Sequence, residues 1–95
     1  MRGDIKKDDL SAIVHPIDGE LDLHTFSPKD ATSVVDEYLR ACREESVYEV
    51  RVIHGKGKGV LRSKVHALLR VHPLVSDFLL DSGPSGWGST IVRLK

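Results

Sequence analysis

The sequence predicts a single two-layer α/β domain with elements in the order β-α-β-α-β-β. Three observations lead there. Two amphipathic helical stretches alternate with short β-branched segments, the chain closes on two strand-like segments joined by a Gly/Ser/Pro loop, and 95 residues suffice for one core but not two. The expected architecture is a mixed four-stranded sheet with two helices.

Asp18-Gly19 is a turn signal, and Glu20-Leu21-Asp22-Leu23-His24 alternates strictly after it, so Leu21 and Leu23 face one way and Asp22 and His24 the other. Ser27-Pro28-Lys29-Asp30 opens the first helix: Ser27 is the N-cap, Pro28 takes the first helical position, and Asp30 stands where a capping acid belongs. Ala31, Val34, Val35, Tyr38, Leu39 and Cys42 form its apolar stripe. Val47 to Ile53 is β-branched and runs into Gly55-Lys56-Gly57-Lys58-Gly59. Leu61, Val65, Leu68 and Leu69 mark a second helix, stopped near Pro73. Val75 to Leu80 reads as a third strand, Asp81 to Ser89 as a loop carrying Trp87, and Thr90 to Leu94 as the last strand. Residues 1–18 show no clear period and read as an N-terminal arm before a domain over 19–95.

Composition narrows the function. Hydrophobic residues make up 40% and charged residues 29%, ordinary for a globular protein. The apolar runs are too short for a membrane helix and the start lacks a signal-peptide core, so a cytoplasmic location is expected. A lone cysteine, Cys42, excludes an internal disulfide framework and reads as a buried, inert thiol. The formal net charge is +0, which sets the chain apart from strongly basic nucleic-acid binders. The charge is unevenly spread, however. From His54 to His72 there are Lys56, Lys58, Arg62, Lys64 and Arg70 and no acid, a distribution compatible with a local positive face.

Alternating helices and strands imply parallel pairing and right-handed crossovers, so the first three strands should point the same way. Their C-terminal ends then share an edge, where open α/β sheets bind ligands. His24, His54 with its glycine loop, and Gly86-Trp87-Gly88 all fall there. A strand, a glycine-rich loop and a helix in succession present backbone N–H groups and a positive helix end to an anion. The loop lacks the spacing and the Lys-Ser/Thr ending of a triphosphate-binding loop, so a single phosphodiester is the better-sized ligand, with Gly55, Lys56, Gly57, Lys58, Gly59 and Arg62 as candidate contacts. His24 and His54, at strand ends, are candidate acid–base groups, and Asp22 shares the face of His24 and is placed to orient it. Either histidine alone is compatible with a structural role. Asp22, His24 and His54 lack a second carboxylate, so no metal site and no cofactor is expected. Trp87 is a candidate base-stacking ring or a lid on the core. His15, His66 and His72 lie on the arm, or on and after the second helix, away from this edge, and are assigned no chemistry.

Three segments taken together, Leu21-Asp22-Leu23-His24, His54-Gly55-Lys56-Gly57-Lys58-Gly59 and Gly86-Trp87-Gly88-Ser89-Thr90-Ile91-Val92-Arg93-Leu94, resemble the Smr (small MutS-related) domain family in order and spacing. The resemblance covers Gly19 to Leu94 and is of the stand-alone kind. It implies a fold similar to the C-terminal domain of bacterial translation initiation factor three. It also implies endonuclease activity on RNA or DNA, with Asp22, His24, His54, Gly55 and Gly57 at the matching positions. Two departures stand out. The family has Gly after the histidine where this chain has Thr25-Phe26, side chains that would narrow a cleft, and it has Gly-Gly-x-Gly-Ala-Thr where this chain has Gly86-Trp87-Gly88-Ser89-Thr90.

Three functional readings follow. The first is a phosphodiesterase in which one of His24 and His54 is the base and the other the acid, needing no metal if the 2′-hydroxyl of RNA is the nucleophile, and an activated water with a divalent cation if DNA is cut. The second is a non-catalytic nucleic-acid module. The third is a protein-interaction adaptor whose arm docks a repair partner or a ribosome-associated one. Oligomeric state is not legible.

Overall fold

The computed structural model describes residues 17–55, 59–81 and 88–95. The arm through residue 16, the loop residues Lys56, Gly57 and Lys58, and Trp87 lie outside the described residues. The elements are β1 (Glu20–Asp22), α1 (Pro28–Glu44), β2 (Glu49–Ile53), α2 (Val60–Val71), β3 (Val75–Leu80) and β4 (Ser89–Leu94), in the predicted order.

The helix start follows from its capping residues. The Ser27 hydroxyl oxygen accepts from the Asp30 N–H at 3.4 Å and its proton goes to the Asp30 carboxylate at 3.1 Å. At the other end Ser46 adopts φ +62, and the Val47 N–H returns to the Cys42 carbonyl at 2.8 Å. That closure consumes Val47, and β2 accordingly begins at Glu49 rather than Val47. The α1 residues Ala31, Val35, Tyr38, Leu39 and Cys42 are buried, as the apolar stripe requires. The Tyr38 hydroxyl accepts from the N–H groups of Gly19 and Glu20 and donates to the Glu20 carbonyl, tying α1 to the start of β1.

The sheet order is β1-β2-β4-β3. β1 runs parallel to β2, β4 antiparallel to β2, and β3 antiparallel to β4. The first three strands therefore do point the same way, but β3 does not pair with β2, because β4 inserts between them. No helix separates β3 from β4, so these two strands pair as an antiparallel neighbour pair instead of through a crossover. Alternation sorts the side chains into two faces. Leu21, Val50, Val52, Thr90, Val92 and Leu94 are buried, and the core they form is completed by α1 and by Val65 and Leu69 of α2. Glu20, Asp22, Glu49, Arg51, Ile53, Ile91 and Arg93 alternate with them and lie on the helix-free face. Among the described residues no helix is long and apolar enough to cross a membrane.

Gly19 enters β1 at φ +89, and a Cβ there would lie 2.9 Å from the Glu49 carbonyl oxygen. Gly55 also has a positive φ, +88, but a Cβ there would meet nothing within 4 Å. Gly55→Ala should therefore cost only the left-handed strain of roughly 1–2 kcal/mol, and Gly19→Ala that strain plus a backbone clash. Urea unfolding of the two variants checks the order, with the lower midpoint expected for Gly19→Ala.

Candidate functional site

The C-terminal ends of β1 and β2 and the start of β4 meet at one edge. The Leu23 N–H extends the β1 ladder to the Ile53 carbonyl at 2.8 Å, and the N–H groups of His54 and Gly55 both donate to the Gly88 carbonyl, at 2.9 and 2.8 Å. The chain turns after Leu23, where the Phe26 N–H returns to its carbonyl at 2.9 Å. Phe26 is half-buried and packs against the core, so it does not occupy the open face, while Thr25 is exposed.

Asp22 and His24 form a pair on this edge. One Asp22 carboxylate oxygen accepts from the His24 backbone N–H at 3.0 Å and lies 2.8 Å from its Nδ1. A carboxylate only accepts, so Nδ1 carries the proton and the lone pair of the neutral ring sits on Nε2. The His24 side chain is 71% exposed. The pair is therefore an accessible base whose tautomer is set by its neighbour.

His54 is different. Counting from Ile53 on the helix-free face, His54 falls on the helix side together with Val52, and it is only 6% exposed. Its Nδ1 lies 3.0 Å from the Gly55 carbonyl and its Nε2 2.9 Å from the Thr90 hydroxyl. The carbonyl can only accept, so Nδ1–H donates to it and Nε2 accepts the Thr90 proton. With that proton committed, Thr90 Oγ1 accepts from Nε2–H of His66, 2.7 Å away. The chain of donors thus runs His66 to Thr90 to His54 to the Gly55 carbonyl. Burial pushes His54 below the usual imidazole range; the Gly55 carbonyl partly opposes this and the Arg62 charge adds to it. Burial also lowers His66, with His54, Arg70 and Arg62 contributing.

His24 and His54 thus differ in surroundings at this edge. The first stands on the open face and the second is enclosed beneath the sheet with both ring nitrogens engaged. His66, on α2, is bonded into the His54 network through Thr90, and its ring packs at a tilt of 59° against Phe78 with centroids 5.0 Å apart. The Nε2–H of His72 meets Asp36 at 2.7 Å and its Nδ1 accepts from the Leu74 N–H, fastening α1 to the turn after α2.

Beyond the glycine loop, α2 starts at Gly59, an N-cap with φ +83, no side-chain cap and no acid in the first turn. A Cβ on Gly59 would lie 2.8 Å from an Arg62 guanidinium nitrogen, so that cation lies over the positive end of the helix. Two positive features together, with no acid between them, favour an anion. Among the described residues, no group of three or more His, Cys, Asp or Glu is placed to hold a metal ion.

A two-layer α/β domain with an anion-favouring edge and an exposed His/Asp pair is the class that this geometry defines. The chain belongs to the Smr domain family, whose model matches residues 21–95. It is 36% identical over 91 residues to Endonuclease MutS2 of Clostridium novyi and 39% over 77 residues to Endonuclease MutS2 of Brevibacillus brevis. These alignments cover 95% and 80% of the chain but only 12% and 10% of the relatives' length. The crystal structure of the Smr domain of Thermus thermophilus MutS2 is similar with a TM-score of 0.75 and 35% identity, covering 80% of this chain and 96% of that one. The stand-alone small MutS-related protein YdaL of Escherichia coli shares the fold at a TM-score of 0.74 and 21% identity, over 90% of this chain and 70% of that one.

Proposed function

We propose that this Smr domain binds a nucleic-acid strand through its phosphates and cleaves an RNA phosphodiester, with His24 as general base. The observation that carries the reading is the exposed Asp22–His24 pair at 2.8 Å, standing at the same edge as Gly55 and the Arg62-flanked start of α2. In this scheme His24 Nε2 takes the proton of the ribose 2′-hydroxyl. The 2′-oxygen bonds to phosphorus, the P–O5′ bond breaks, and the departing 5′-oxygen takes a proton from water, leaving a 2′,3′-cyclic phosphate and a 5′-hydroxyl. Lys56, Lys58, Arg62 and the loop N–H groups offset the charge on the phosphate. His54 is a positioning residue: it holds the Gly55 carbonyl inward and so sets the loop. The endonuclease designation of the MutS2 relatives agrees with this activity.

The test uses end-labelled RNA and DNA of one sequence, with and without EDTA, over a range of salt. RNA should be cut in both conditions. Its affinity should fall as salt rises, with a log–log slope of roughly −2 for three cations on a single strand. Cleavage of DNA that EDTA abolishes would replace the scheme with hydrolysis by a metal-activated water. Binding with no cleavage of either strand would leave a nucleic-acid module, and salt-insensitive binding would remove the phosphate contacts.

A further inference from the structure

The helix-free face carries a cavity that adjoins the phosphate site and shares Gly55 with it. It measures about 320 Å³ and is lined by Glu20, Arg51, Ile53, Gly55, Gly88 and Ser89, a volume at the lower end of the range for small-ligand sites, about 300–1,000 Å³. Glu20 and Arg51 are cross-strand partners in the β1–β2 register, yet they do not pair. Arg51 turns the other way: its Nε–H donates to the Ser89 hydroxyl at 3.2 Å and its terminal nitrogen pairs with the Asp81 carboxylate. The Ser89 hydroxyl in turn donates to Asp81 at 3.2 Å.

Two consequences follow from this lock. One in-plane edge of the Arg51 guanidinium is occupied, so it offers a fixed plane rather than a free hydrogen-bonding fork, and such planes stack on nucleobases. Asp81 also offsets its charge, so with Glu20 added the cavity does not favour a phosphate. An uncharged, planar, donor-bearing group fits instead. Ile53 supplies an apolar wall, Gly55 and Gly88 bring backbone close, and the Glu20 carboxylate, which has no hydrogen-bond or ion-pair partner from another side chain among the described residues, supplies acceptors. Gly55 belongs both to this cavity and to the phosphate edge.

The geometry points to a nucleobase subsite in this cavity that prefers guanine, whose adjacent N1–H and N2–H groups match both oxygens of the Glu20 carboxylate, with the ring against Ile53 and Arg51. The inference rests on the proposed phosphate site, since it takes the base attached to the phosphate bound there.

The experiment titrates the ¹⁵N-labelled chain with guanosine, adenosine, cytidine and uridine 5′-monophosphates, and with ribose 5-phosphate as a base-free control. Amide shifts at Ile53 and Ser89 should accompany the guanosine nucleotide and be missing with ribose phosphate. A two-donor contact should make guanosine monophosphate bind roughly tenfold tighter than uridine monophosphate or more. Glu20→Gln, an exposed substitution outside the His24 machinery, should erase that ratio while leaving ribose phosphate affinity unchanged. Equal affinities for all five ligands, with no shift at Ile53 or Ser89, would overturn the subsite and leave the phosphate site standing. Shifts at Ile53 and Ser89 with no response to ribose phosphate at Gly55, Gly59 or Arg62 would do the reverse, keeping the base pocket and removing the phosphate reading. A preference for guanosine that survives in Glu20→Gln would overturn the assignment of Glu20.

Discussion

His24→Ala is expected to bind RNA with near wild-type affinity and to turn it over roughly 10²–10⁴-fold more slowly, the usual range for removal of an acid–base group that acts only in the transition state. The expectation rests on exposure and tautomer. His24 is accessible, and Asp22 holds the proton on Nδ1, so Nε2 is the atom free to accept one. Asp22→Asn should lower turnover as well, because an amide lets the imidazole take its other tautomer or another orientation without altering the bulk of the site. A substrate with a single 2′-deoxy substitution at the cleavage position should bind all three proteins and be cut by none. Single-turnover rates and filter-binding affinities, measured side by side, separate the two effects. Full activity in His24→Ala would take the imidazole out of the mechanism, and undiminished cleavage of the deoxy-substituted strand would assign the attack to water.

The part of the site that was legible in the sequence is the part ruled by local rules. Strict alternation over Glu20–His24 placed Asp22 and His24 on one face, and Ser27-Pro28 marked the start of α1, because both depend only on near neighbours along the chain. The same alternation, carried one step past Ile53, puts His54 on the core side with Val52. That signal was present in the Val50-Arg51-Val52-Ile53-His54 run, but it is overridden in any reading that treats a strand end as exposed. His66 follows Arg62 by one helical turn, which aligns both on one side of α2, yet nothing local indicates that Thr90, distant in sequence, lies between His66 and His54. That contact is created by β4 inserting between β2 and β3, a matter of long-range register. The lock of Arg51 on Asp81 and Ser89 was hidden for the same reason, since it spans β2, the end of β3 and β4. Lys56, Gly57, Lys58 and Trp87 remain candidates from the sequence alone.

His54→Ala should behave unlike His24→Ala, losing stability first and function as a result. The substitution leaves a cavity beneath the sheet and strips the Thr90 hydroxyl and the Gly55 carbonyl of a partner, which together cost about 3–5 kcal/mol. That is a large share of the 5–15 kcal/mol typical of a domain. His54→Gln, which keeps polar atoms in the space, should recover part of the loss, and urea unfolding of both variants measures it. A pH dependence accompanies it. Burial holds His54 and His66 below 6.5 in the folded state, so the unfolded chain takes up protons first as the solution is acidified. Their contribution is complete above about pH 6.5 and is lost as pH falls from there toward the folded-state values. The unfolding midpoint of the wild type should therefore decline with acid through that window, and His54→Ala, which lacks one of the two groups, should decline less steeply. A His54→Ala variant as stable as the wild type, with the same acid profile, would show that the Thr90-centred network does not hold the loop. A variant that is destabilised but, once saturated with RNA, cleaves at the normal rate would confine His54 to the fold.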